Sequence, residues 1–154
     1  WNHSKLMVEK NFFSHTNSIN SDRRDPGARG KLAGITNPSI AENIAEGFGL
    51  NYRPGAPIYP KNIEKGEFSY SANGPLLENH TYISLAESLL TQWMNSSGHR
   101  SNILSKSALQ MGGGVYFYRD RTFYNIFKCR ATQNFQWFKP VITGARIDNL
   151  PGER

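Results

Sequence analysis

Ser84-Leu-Ala-Glu-Ser-Leu-Leu-Thr-Gln-Trp-Met-Asn-Ser-Ser-Gly-His-Arg-Ser-Asn-Ile-Leu104, continuing into Met111-Gly-Gly-Gly-Val115, is the stretch whose reading decides the fold. Within it the spacing of apolar residues changes. Leu85, Leu89 and Trp93, with Ala86 and Leu90 beside them, trace one face of a helix. Ser84-Leu-Ala-Glu87 has the form of a capping box, which predicts that the helix opens at Ser84. Its end is expected near Asn95–Ser97, with Gly98 in the left-handed stop position and Ser101 capping a short turn through Asn102–Leu104. After Met111-Gly-Gly-Gly the period becomes two. Val115 and Phe117, then Phe123, Asn125 and Phe127, read as two antiparallel strands turning at Arg119-Asp120-Arg121, and a further strand is expected over Thr132–Phe138.

Towards the N-terminus, Leu6, Met7, Lys10, Phe12 and Phe13 predict a helix over Ser4–Asn11. A polar segment, Ser18–Gly30, follows, with Pro26-Gly27 marking a turn. Ser39-Ile-Ala-Glu42 is a second capping-box pattern and predicts a short helix through Asn43–Glu46, stopped at Gly47. Residues 48–79, with four prolines, read as a long loop, either functional or an insertion. Its Tyr52, Tyr59, Phe68 and Tyr70 serve either as ligand contacts or as packing for the loop itself. Helices first and a meander afterwards predict an α+β fold.

The 154 residues suffice for one domain with its own core. That domain is expected over 1–138 and an irregular tail over 139–154. The formal charge of +6 is scattered rather than gathered on one helix face. This disfavours specific nucleic-acid binding and is consistent with a soluble basic surface that attracts anionic polysaccharide or membrane only weakly. Cys129 is the single cysteine, so no intrachain disulfide forms, and its apolar surroundings predict a small buried hydrophobe. No apolar run reaches the roughly 20 residues of a membrane span. No signal-peptide pattern opens the chain, and Trp1–Phe13 reads as the middle of a structure whose N-terminal helix is truncated.

Two strings carry a resemblance. The first is Asn11-Phe-Phe-Ser-His-Thr-Asn17 with Ala41-Glu-Asn-Ile-Ala-Glu-Gly47. The second is Trp93-Met-Asn-Ser-Ser-Gly-His-Arg-Ser-Asn-Ile-Leu104 with Met111-Gly-Gly-Gly-Val115, followed by Ala131-Thr-Gln-Asn-Phe135. Together they resemble the bacterial branch of the CAP family (cysteine-rich secretory protein, antigen 5 and pathogenesis-related; SCP-like) over roughly Asn2 to Phe135. The resemblance implies a three-layer α-β-α sandwich with a central antiparallel sheet. It also implies a cleft lined by two histidines and two acids that in some members holds a divalent ion, often zinc.

Carried over by motif, His15 and His99 match the histidines and Glu42 the first acid, so these three are the candidate metal ligands. The second acid falls at Ser96, which leaves the set incomplete, and Ala41 replaces a glycine. Glu87 cannot take that acid's place, because nine residues of helix turn it about half-way round from Ser96. Two histidines and one carboxylate fall short of a closed four-ligand zinc site. Glu42 could instead cap a helix or pair with Arg100, which would withhold it from proton transfer. Asn43 and Asn102 are expected to tie loops to backbone groups.

Three functions stand beside one another. The leading one is a non-enzymatic, extracellular or surface-exposed binding module, monomeric, engaging a host or cell-envelope macromolecule, with a lipid anchor on the missing N-terminus as one means of attachment. The second is a divalent-metal-dependent hydrolase or peptidase using His15, His99 and Glu42, with Ser96, His99 and Glu42 as the weaker candidate for metal-free catalysis. The third, implied by the family alone, is lipid or sterol carriage.

Overall fold

A computed structural model describes residues 1–139. Its centre is a three-stranded antiparallel sheet in the order β1-β5-β4, built from β1 (Ile40–Phe48), β4 (Gln110–Asp120) and β5 (Ile126–Gln136). β5 runs between the other two, pairing Ile40↔Gln136 through Phe48↔Lys128 on one side and Gln110↔Gln136 through Asp120↔Ile126 on the other. The fold is α+β, with helices on both faces of the sheet.

The alternation of side chains sorts the layers. Ala45, Cys129 and Ala131 point to one face and form the main core with Leu85, Leu89 and Trp93 of α3 (Tyr82–Met94). α4 (Ser97–Ile103) lies on β1 beside it. The opposite face carries α1 (Asn2–Glu9), which packs on β4 and β5. There Ser4, fully buried, donates to the Gly114 carbonyl at 3.0 Å and meets the Thr132 hydroxyl at 2.8 Å. Arg130 donates to the carbonyls of Met7 and Phe12, the latter at 2.8 Å, and so closes the end of α1.

Several local expectations give way to tertiary pairing. Residues 43–46 are strand, not helix. Ser39 uses its backbone N–H on the Gln136 side-chain oxygen at 3.0 Å, so no capping box forms. The ladder to β5 satisfies every second backbone group of this segment, and a short helix could not bury Asn43, Ile44 and Ala45 together. α3 starts three residues early, because Thr81 is its cap and accepts from the Ser84 N–H at 3.1 Å. Glu87 therefore lies beyond the first turn and has no capping role. Gly98 is not a left-handed stop. α3 ends at Asn95 in a right-handed conformation, and Gly98 and Ser101 lie inside α4.

The segment read as a polar turn holds a 3-10 turn (Ser21–Arg23) and α2 (Pro26–Leu32). Asp25 caps α2 by accepting from the Ala28 N–H at 2.8 Å, a bond that also draws its carboxyl below the usual carboxylate range, and Pro26 occupies the first turn. The long loop contains a hairpin, β2 (Tyr59–Asn62) and β3 (Glu67–Ser69), whose Phe68 packs with Leu50 and Ile126 in a second core. Phe68 is thus packing, whereas Tyr59 stays about half exposed. The β4–β5 turn is longer than Arg119–Arg121 and passes through Tyr124 and Asn125 at positive φ. The strand expected over Thr132–Phe138 is the end of β5. The tail expected over 139–154 lies, beyond Lys139, outside the described residues. Among the described residues, no helix is long and apolar enough to cross a membrane.

Candidate functional site

Strand β1 sends consecutive side chains to opposite faces, and this places the site. Glu42 points to the α1 face, where its side chain keeps only 1% of its exposure. Three groups converge on it. Arg29 of α2 donates to Oε2 at 2.7 Å, His15 meets Oε1 through Nδ1 at 3.0 Å, and the His3 Nε2 lies 3.7 Å from Oε1. A buried carboxylate is stable only when paired and hydrogen-bonded, and a guanidinium supplies both. Arg29 also donates to the His15 carbonyl at 3.2 Å and to the Arg23 carbonyl at 3.1 Å, so it fastens the 15 loop to the sheet. His3, on α1, bonds through Nε2 to the Ser14 carbonyl at 3.0 Å. Its pKa is lowered, first by burial and then by the nearby Arg29 charge.

Asn43, one residue on, points the other way and is fully buried. Its amide nitrogen donates to the His99 carbonyl and to the Gln133 side chain, both at 3.1 Å, while its oxygen accepts from Asn102 at 2.8 Å. The expectation for Asn43 and Asn102 is met in this sense: they bind α4 to the sheet. His99 is carried on α4, and its pKa is lowered by burial and then by the charge of His15. The His15 side chain is 49% exposed, which leaves its Nε2 side toward solvent.

The remaining candidates fall elsewhere. Arg100 does not pair with Glu42 but donates to the Met94 carbonyl at 3.0 Å. Ser96 is the residue preceding α4, with its backbone tied between Trp93 and Arg100; no hydrogen bond joins it to His99 among the described residues. Cys129 is fully buried in the main core, and burial pushes its thiol up to about 11, so it is no nucleophile.

Sequence reasoning missed His3 and Arg29. His3 lies in a segment read only for its apolar period, and Arg29 in one read as a polar turn. Only a buried acid opposite them distinguishes either.

The donor set does not fit a divalent ion as it stands. Both Glu42 oxygens are engaged, one by a guanidinium whose charge repels a cation. Among the described residues, no three His, Cys, Asp or Glu side chains are grouped to hold a metal.

A three-stranded antiparallel sheet with helices on both faces defines an α+β protein. The model of the cysteine-rich secretory protein family, CAP, matches residues 2–131, and the chain belongs to that family. No curated protein and no solved structure matches it.

Proposed function

We propose that the chain is a secreted or surface-exposed binding module without enzymatic activity. Its cleft at His15, Glu42 and His99 engages an extracellular ligand, a host or cell-envelope macromolecule or a lipid, with the protein acting as a monomer. Membership of a family described as secretory supports the extracellular placement. The observation that carries the reading is the engagement of Glu42: its buried carboxylate bonds Arg29 at 2.7 Å and His15 at 3.0 Å, so it holds the cleft wall in place rather than standing free as a base. Ser96 has no base in hydrogen-bond reach among the described residues, which argues against the Ser96–His99–Glu42 alternative.

The groups that remain for a ligand are the half-exposed His15 ring and the His99 ring, two imidazoles able to donate or accept a hydrogen bond. A zinc-dependent hydrolase is the second reading, and it requires Glu42 to exchange Arg29 for the ion. Zinc titrated into metal-free protein, followed through the ring signals of His15 and His99, tests both readings when combined with ester and peptide assays with and without chelator. The expected result is no saturable zinc binding at micromolar levels and turnover equal to that of Ser96→Ala. Chelator-sensitive turnover that disappears in His15→Ala overturns the proposal. A lipid extract of the purified protein identifies a carried lipid.

A further inference from the structure

α3 presents one buried stripe flanked by an exposed apolar one and an exposed polar one. Leu85, Leu89 and Trp93 enter the core. One flanking stripe is apolar: Tyr82 is 88% and Ile83 73% exposed, with Leu90 about half exposed. The stripe facing a concave groove is polar, running through Ser84, Glu87, Ser88, Thr91, Gln92 and Asn95. These side chains are solvent-accessible along one wall of the groove, where they can meet a hydrogen-bonding ligand.

The groove has a volume of about 790 Å³ and lies between α3, the end of edge strand β1 and the segment through Tyr52 and Pro54. None of His15, Glu42 and His99 lines it. Gln92 donates to the Glu46 carbonyl at 3.4 Å and joins helix to strand. Phe48 and Tyr52, edge to face with ring centroids 5.3 Å apart, form an aromatic wall. Across from it, the side chains of Glu87, Ser88, Thr91 and Asn95 carry no hydrogen bond or ion pair among the described residues.

The charges in the groove are mostly matched. Glu46 accepts from Arg130 at 2.7 Å and from the Tyr118 hydroxyl at 2.9 Å, and Lys128 bridges Asp120 at 2.8 Å and Glu46 at 3.5 Å. Glu87 alone remains uncompensated, so the groove carries one free negative charge on a protein of net charge +6. An anionic polymer drawn to the general surface is therefore not what this groove selects.

We propose that the groove binds a short amino-sugar chain. The aromatic wall covers the apolar face of a sugar ring, the hydroxyls and amides of α3 meet its hydroxyls, and Glu87 pairs with its ammonium group. Binding of a basic peptide through Glu87 alone is the competing outcome that the tetralysine arm of the test separates. The inference does not rest on the function proposed for the His15–Glu42 cleft.

The test is amide NMR titration of the whole protein with three probes: a β-1,4-linked glucosamine tetrasaccharide at a pH where its amines are charged, its fully N-acetylated counterpart, and tetralysine. The expected result is that the glucosamine tetramer shifts the amides of 46–54 and 84–95 and leaves the His15 and His99 ring signals fixed. It should bind about threefold to fivefold more tightly than the acetylated chain, the worth of one exposed charge pair. Glu87→Gln should remove that preference while binding persists, and Tyr52→Ala should weaken both saccharides. The proposal is overturned if neither saccharide shifts the groove at millimolar concentration, if tetralysine binds as well as the glucosamine tetramer, or if Tyr52→Ala changes nothing.

Discussion

Replacing Arg29 with Met tests the argument that the Glu42 carboxylate is held by charge rather than merely tolerated. The Arg29 and Glu42 side chains are 11% and 1% exposed and 2.7 Å apart, so the pair is largely desolvated. Removing one member of a buried pair leaves an uncompensated charge and costs about 3–5 kcal/mol. The carbonyls of His15 and Arg23 lose their donor in the same step, at about 1 kcal/mol each if water does not replace it. A loss of about 4 kcal/mol is a large fraction of the roughly 5–15 kcal/mol that holds a domain together, so the variant should unfold at much lower urea.

Arg29→Lys keeps the charge but not the fork, and should fall between wild type and Arg29→Met. The double variant Arg29→Met, Glu42→Leu removes both charges and should recover most of the loss, because an apolar pair of similar volume is often neutral. Urea denaturation followed by tryptophan fluorescence measures all four proteins. The reasoning fails if Arg29→Met costs less than about 1 kcal/mol or if the double variant is no more stable than the single one.

The pKa values of His3 and His99 are lowered by folding, so above the unfolded value of 6.5 both states hold these rings neutral, and below it the unfolded chain takes up protons first. Stability should therefore fall as pH drops through 6.5 toward the depressed folded values, and denaturation of His3→Gln should show a shallower decline over that window. Cys129 should resist a thiol reagent in the native protein and react on unfolding; rapid labelling under native conditions would contradict its burial. Gly112→Ala should be nearly neutral, since a Cβ there meets nothing within 4 Å. Gly114→Ala would drive a Cβ into the Trp1 backbone, pushing α1 off the sheet at a cost of about 1–3 kcal/mol in thermal or urea unfolding.

The class of fold was legible where a pattern is long and its burial one-sided. Leu85, Leu89 and Trp93 report a core-facing helix, and the alternation around Phe117 and Phe127 reports a hairpin, because period follows directly from which face is buried. The motif strings carried the family. What failed were short signals that weigh backbone chemistry over a few residues. Ser39-Ile-Ala-Glu42 and Ser84-Leu-Ala-Glu87 both resemble capping boxes, yet Ser39 leads into a strand and Ser84 lies inside a helix capped by Thr81. A cap contributes about 1 kcal/mol, less than a nine-residue ladder to β5 with Asn43 and Ala45 buried behind it.

The sequence by itself determined an α+β chain of the CAP family and named His15, Glu42 and His99. Only the tertiary structure decided what Glu42 does, because its partners, Arg29 and His3, come from separate helices 13 and 39 residues away in the chain. A carboxylate's role depends on which charges share its desolvated surroundings, and those are assembled by the packing of α1 and α2 around β1, beyond the reach of local spacing.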